Sequence, residues 1–295
     1  MEWADRYKII KKLGTQKKRK FGDVFLVSTI ETNQLGVLKF VAKTLDNRKT
    51  VERLKHEASF HFDFDGLPKI LEVFESEYAF FFVREFKEGI ALDTVWNSLS
   101  KKKRHPFLVT ILEQLAPIFQ TLKDQCVVHC DLKPSNLLVS EDGKIHLIDF
   151  GLALRTNAIE DRGILFPLGY AAPELLLNRL HLVDERTDYY ALGILIWRLY
   201  DGKLPLVHPN PSIFTNLQLT HPLPESYEIS KKIYATLARL SAKHPFKMPP
   251  NKMEISEVDK CLLAGMNLRY SSIELFIQDF KDTAPKSWFR SLSRV

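Results

Sequence analysis

A chain of 295 residues that is 45% hydrophobic and 26% charged can bury a sizeable core as one large or two modest domains, which excludes disorder as its main state. Its three cysteines, Cys126, Cys130 and Cys261, have neither metal-ligand spacing nor a paired framework, so a disulfide scaffold and a zinc module are excluded and a reducing, cytoplasmic setting is expected. The net charge of +6 is concentrated in KKRK (17–20), KKKR (101–104) and the last dozen residues, which read as solvated tips, so no nucleic-acid partner is expected.

The opening MEWADRYKIIKK is charged and lacks an apolar export region, and the most apolar later stretch, ALGILIW, is too short to span a bilayer, so no transmembrane segment is expected. The first ninety residues are strand-rich. FGDVFLVSTI and LGVLKFVAK alternate apolar and polar residues around a turn at ETNQ, and a polar helix is predicted from about Val51 to His61. ILEVFES and YAFFFVREF then read as two more strands. Beyond them the period changes: Leu108, Ile111, Leu112, Leu115, Ile118 and Leu122 fall at helical spacing, with Pro117 expected to bend the helix. KIHLIDFG returns briefly to strand. An apolar helix covers Tyr189 to Tyr200 and ends at Asp-Gly, two more are predicted near 229–242 and 254–266, and the Pro-, Asn- and His-rich segment 205–225 reads as a long loop.

One stretch does not fit a purely structural reading. VVHCDLKPSNLL (127–138) places Asp131, Lys133 and Asn136 at fixed offsets among apolar residues, where unpaired buried polar groups would cost about 1–3 kcal/mol each. A turn between two short strands therefore needs some other use for them; for Asp131 alone, capping a turn is the alternative. Downstream come Asp149-Phe150-Gly151 and Ala172-Pro173-Glu174, and upstream Lys39 lies on a strand and Glu57 on a helix. This ordered set resembles the eukaryotic-type (Hanks-type) Ser/Thr protein kinase family over nearly the whole chain, from about Tyr7 to Phe280.

The resemblance implies an α+β, bilobal protein kinase fold: a single catalytic domain over 1–295, with a small antiparallel sheet and one main helix in an N-lobe of about 1–86, a mostly α-helical C-lobe over 87–280, and a basic tail over 281–295. It implies ATP and Mg²⁺ as cofactors, with Mn²⁺ as an alternative ion, and protein substrates as partners. Phosphoryl transfer is mainly positioning and charge neutralisation, and each implied role follows from that. Lys39 would hold the α- and β-phosphates and Glu57 would pair with it, Glu52 being the competing carboxylate. Asp149 and Asn136 would supply hard oxygen ligands to the metal. Asp131 would take or orient the proton of the attacking hydroxyl, and Lys133 would neutralise the moving phosphate. Val24 and Val37 would cover the adenine, Leu138 would lie under it, and the backbone of Glu85 to Lys87 would bond its edge. Asp188 would brace the catalytic loop, and Glu174 would pair with Arg269.

Departures from the family pattern qualify these expectations. Between Gly14 and Gly22 the phosphate-covering loop lacks its middle glycine and carries TQKKRK, so side chains replace the bare backbone that approaches phosphates most closely. Cys130 stands where regulated members carry Arg, giving His-Cys-Asp. Between Phe150 and Pro173 the only hydroxyl side chains are Thr156 and Tyr170. Both features predict activity that does not depend on loop phosphorylation. Lys133 points to Ser/Thr substrates, whereas Phe166-Pro167 resembles the tyrosine-kinase loop, which leaves dual or Tyr-directed specificity as the alternative. A catalytically impaired pseudokinase acting as a binding module is a second alternative, and a small-molecule phosphotransferase of the antibiotic-kinase type a third. RYSS (269–272) and VREF (83–86) resemble bacterial members of the family, and the tail APKSWFRSLSRV reads as a frayed terminus.

Overall fold

The computed structural model describes residues 5–13, 22–157 and 166–284. The chain divides into two compact units, one made of residues up to Gly89 together with Leu138–Gly151, the other of Ile90–Leu137 together with residues from Leu152 onward. The first unit thus runs three residues past the expected 1–86 boundary and takes in a later hairpin, because Leu147 N–H bonds the carbonyl of Gly66.

In the first unit, strands β1 (Tyr7–Leu13), β2 (Asp23–Thr29), β3 (Leu35–Ala42), β4 (Ile70–Glu75) and β5 (Ala79–Glu85) form an antiparallel sheet in the order β1-β2-β3-β5-β4. Helix α1 (Arg48–Ala58) covers one face. Phe80 and Phe82 of β5 pack there with Val41, Val51, Leu54 and Ala58, while Phe81 and Val83 alternate to the other face with Tyr7, Val27 and Leu38. A strand buried on both sides explains why AFFFV is apolar throughout rather than alternating. Leu38 is fully buried, and Leu38→Ala is expected to destabilise the protein by about 2–5 kcal/mol in a denaturant melt.

Helix α1 starts earlier than the predicted Val51 and ends before His61. Its buried stripe is Val51, Leu54, Glu57 and Ala58, so a carboxylate occupies an apolar position and requires a partner. The hairpin of β8 (Leu137–Val139) and β9 (Ile145–Leu147) turns at Gly143, whose φ of 80° suits glycine.

The second unit is helical. After the short strand β6 (Ile90–Ala91) and α2 (Leu92–Ser98) comes α3 (Lys101–Asp124), which buries the predicted Leu108, Ile111, Leu112, Leu115, Ile118 and Leu122. This helix runs continuously through Pro106 and Pro117. The KKKR run is its first turn rather than a loop tip, with Lys101 paired to Glu228 at 3.0 Å and Arg104 over the Trp96 ring. Strand β7 (Val127–Val128) pairs with β10 (Leu154–Arg155), and α4 (Pro173–Leu176) precedes α5 (Glu185–Asp201). Helix α5 is buried along most of its length, is capped by Asp184 accepting from Arg186 N–H, and stops at Gly202 with φ 90°.

The predicted loop 205–225 contains α6 (Pro211–Thr220). Its signal is local: Asn210 accepts from the N–H groups of Ser212 and Ile213, and Pro211 occupies the first helical position. Helices α7 (Lys231–Leu240) and α8 (Ile255–Leu268) fall where predicted, and α9 (Ile273–Lys281) follows, capped by Ser272 and burying Ile273, Phe276, Ile277 and Phe280. Among the described residues no helix is long and apolar enough to cross a membrane.

Candidate active site

Lys39 lies on β3 opposite Val24 of β2 and Phe82 of β5, so its side chain shares the sheet face that α1 covers. There its Nζ meets Glu57 Oε1 at 2.7 Å and Oε2 at 2.9 Å, which supplies the partner that the buried carboxylate requires. The same Nζ also reaches Asp149 Oδ1 at 3.0 Å. Burial pulls the ammonium down, but Asp149 and Glu57 outweigh it and hold Lys39 above its usual range. Glu52 is excluded as the partner, since it forms an exposed pair with Arg48 one turn away.

Asp149 has φ 69°, a left-handed conformation uncommon for a residue with a side chain, and 47% of that side chain is exposed. Phe150 anchors it, packing at 4.5 Å on Phe62 and 6.2 Å on Phe60 between ring centroids. The backbone thus aims a carboxylate outward while its neighbour is buried.

In the second unit, the loop after β7 builds its polar groups around one carboxylate. Asp131 Oδ2 accepts from Lys133 Nζ at 2.6 Å and from Asn136 Nδ2 at 3.0 Å, and Asn136 Nδ2 also reaches the Asp131 carbonyl at 2.9 Å. Asp131 N–H donates to His129 Nδ1 at 3.2 Å. Asp131 Oδ1 is buried with no hydrogen-bond partner among the described residues. The loop is held from behind by Asp188 on α5, whose Oδ2 and Oδ1 accept the N–H groups of His129 and Cys130 at 2.7 and 2.9 Å. Burial pushes Asp188 above the usual carboxylate range, opposed by the charge of His129 and by those two donors. Glu174 on α4 receives Arg269 Nη1 and Nη2 at 2.7 and 3.0 Å and the Thr187 hydroxyl at 2.8 Å.

The protein kinase domain model matches residues 7–280. The chain belongs to the protein kinase family. Similar proteins include mouse Aurora kinase B, 25% identical over 213 residues covering 70% of this chain and 59% of that protein. Aurora kinase B of Xenopus tropicalis is 26% identical over 198 residues, 65% of this chain and 54% of its own. Serine/threonine-protein kinase TIO of Arabidopsis thaliana is 26% identical over 206 residues, 68% of this chain and 15% of its own. The chain therefore spans less than two thirds of the length of these relatives.

Within this kinase the expected site residues form two groups. Lys39, Glu57 and Asp149 meet in the first unit; Asp131, Lys133 and Asn136 meet in the second. Val24 and Val37 share the Lys39 face of the sheet, and both they and Leu138 are half-buried. Gly22, with φ 76°, approaches β3 so closely that a Cβ would lie 2.6 Å from the Phe40 carbonyl, so only glycine fits there. Gly14 and the TQKKRK run lie outside the described residues. At the end of β5, Glu85 N–H bonds the Lys69 carbonyl and Phe86 N–H the Leu35 carbonyl, which leaves the donor role expected of this backbone to Lys87. The Lys87 side chain folds back to Glu85 at 2.9 Å.

Two features of the site fall outside the sequence expectations. Arg84, an ordinary-looking charge in VREF, is buried and donates to the Glu57 carbonyl. Gln218 on α6 is also buried, and its Oε1 accepts Gly169 N–H at 3.1 Å just ahead of Ala172-Pro173-Glu174. A charge placed directly after an apolar run is the signal in the first case; the second has none in the sequence.

Among the described residues no cluster of three or more His, Cys, Asp or Glu could hold a metal by itself. The first unit offers the Asp149 carboxylate, and the second the amide oxygen of Asn136, whose nitrogen is already engaged. Each is a hard oxygen donor of the kind Mg²⁺ prefers, and neither suits a soft metal.

Proposed function

We propose that this chain transfers the γ-phosphate of Mg-ATP to Ser or Thr hydroxyls of protein substrates, and does so without requiring phosphorylation of its own loop. The observation that carries the reading is Asp131: one oxygen is saturated by Lys133 and Asn136, and the other is buried without a partner among the described residues. A buried acceptor in that state suits a substrate hydroxyl. Asp131 Oδ1 takes the hydroxyl proton as the hydroxyl oxygen bonds to the γ-phosphorus; the bond from that phosphorus to the β–γ bridging oxygen breaks and ADP leaves. Lys133 follows the negative charge of the transferred group, and Lys39, fixed by Glu57, holds the phosphates that stay behind. Asp149 and Asn136 would hold Mg²⁺, which would supply neutralisation of phosphate charge.

The intact Lys39–Glu57 pair favours an active enzyme over a pseudokinase. The Ser/Thr preference rests on the contact of Lys133 with Asp131 and on the similarity to TIO. Incubation with Mg-ATP and peptides presenting Ser, Thr or Tyr, followed by mass mapping of the phosphosites, tests both. Phosphotyrosine alone would reverse the specificity, and incorporation into aminoglycosides but not peptides would replace the substrate class.

Independence from loop phosphorylation is supported by what surrounds Cys130. Its side chain lies in an apolar cluster with Val128, Leu152, Leu154, Phe166, Ala171, Leu175 and Val183. This cluster joins the catalytic loop to both ends of the activation segment by burial, where an arginine would use a phosphate. Burial also raises the Cys130 thiol well above its usual range, which argues for packing rather than redox chemistry. Thr156 N–H bonds the Cys126 carbonyl at 2.8 Å, and the Tyr170 hydroxyl accepts from Arg198 at 2.6 Å. Thr156→Ala is expected to leave peptide phosphorylation unchanged; a large loss would refute the independence.

A further inference from the structure

Arg84, near the end of β5, is only 4% exposed. In register it faces Val37 of β3 and Ile70 of β4, two residues along the same sheet face from Phe82, which is opposite Lys39. Its Nη2 donates to the backbone carbonyl of Glu57. The guanidinium carbon lies 5.4 Å from the centroid of Phe150 and 5.5 Å from that of Phe82, within range of cation–π attraction. Nε and Nη1 have no hydrogen-bond partner among the described residues. Burial pulls the guanidinium down from its usual range, and the charges of Glu57 and Asp149 oppose that pull.

A buried cation with idle donors is an expensive way to fill space, and an apolar side chain of similar volume would pack there at least as well. The guanidinium adds direction. It grips α1 at the residue that pairs with Lys39 and lies against the ring that follows Asp149 in the chain. Both anions flanking Lys39 are thereby tied to one strand.

We propose that Arg84 is a positioning residue: by holding the Glu57 carbonyl and the Phe150 ring to β5, it keeps the Glu57 and Asp149 carboxylates on Lys39 Nζ. The proposal rests on the reading of those three residues as the phosphate- and metal-handling group. All the groups involved lie in the first unit.

Amide hydrogen exchange over 48–58 and 147–151, without nucleotide, and steady-state kinetics with Mg-ATP and a peptide test it in Arg84→Met and Arg84→Lys. In Arg84→Met, α1 exchange is expected to rise about tenfold while the melting temperature is kept. Its kcat/KM should fall about 10- to 100-fold, with kcat carrying the larger share, because misplacing the reacting groups costs turnover more than affinity. Arg84→Lys keeps a single ammonium that cannot engage carbonyl and ring together, so it should exchange faster than wild type yet recover part of the activity. Wild-type exchange at α1 in either variant overturns the proposal, and so does an Arg84→Met enzyme with wild-type kcat. Should Arg84→Met fail to fold, Arg84→Lys decides by the same exchange criterion. A native protein that neither binds nor turns over Mg-ATP would defeat the kinase reading instead, and the nucleotide-free exchange would still decide the role of Arg84.

Discussion

Asp131→Asn is expected to lower the rate of phosphoryl transfer by about 10²- to 10⁴-fold, the range found for removal of a positioned general base. Nucleotide affinity should stay near that of the native protein. The geometry dictates the split. Lys133 and Asn136 both bond Oδ2, so an Asn side chain can place its oxygen toward them and keep the loop folded. The amide nitrogen then occupies the position of Oδ1, where it can donate but not accept a proton. Lys39, Glu57 and Asp149 are untouched. Turnover of a peptide and the thermal shift caused by Mg-nucleotide, measured on the same preparations, separate the two effects. Near-native turnover would remove Asp131 from the chemistry, and a loss of nucleotide binding along with turnover would point to a collapsed loop.

The candidate site residues were the most legible part of the chain, because their types are improbable where they stand. A carboxylate on the apolar stripe of α1 and a lysine on the neighbouring strand require each other, and the structure joins them. The strands β2 to β5 and the helix α5 were likewise visible as periodic runs bounded by turn residues. What was hidden depends on distance in sequence. Helix α6 was obscured by a composition rich in Pro and Asn that in fact marks its start, through the Asn210 cap and Pro211. Burial of Arg84 is set by α1 and by Phe150, each far away along the chain, so nothing in VREF distinguishes it from a solvated charge except the apolar run that precedes it. Cys130 reads locally as a missing arginine; only the folded chain shows the apolar cluster that occupies its place.

Breaking the Glu174–Arg269 pair is expected to lower stability by about 3–5 kcal/mol in Glu174→Ala, the cost of stranding a buried charge. Both side chains are essentially inaccessible, at 0% and 1% exposure, so the arginine left behind cannot turn to water. It would keep its bonds to the carbonyls of Arg186 and Ala242 but lose the bidentate carboxylate, and the Thr187 hydroxyl would lose its acceptor. Arg269→Leu should cost a similar amount by stranding the carboxylate. The double variant Glu174→Met with Arg269→Leu should recover much of the loss, since two apolar groups carry no desolvation penalty. The pair also contributes to acid sensitivity. Burial pushes Glu174 up, but Arg269 and the hydrogen bonds outweigh it and leave the carboxyl below its usual value. Its contribution is therefore fully present above the unfolded-state carboxylate pKa of about 4.3, and it is lost as pH falls through the lower folded value. Denaturant melts at pH 7 and in the acid limb, on the single and double variants, test both claims. Additive losses in the double variant, or a native acid limb in Glu174→Ala, would show that the pair is not the anchor its geometry describes.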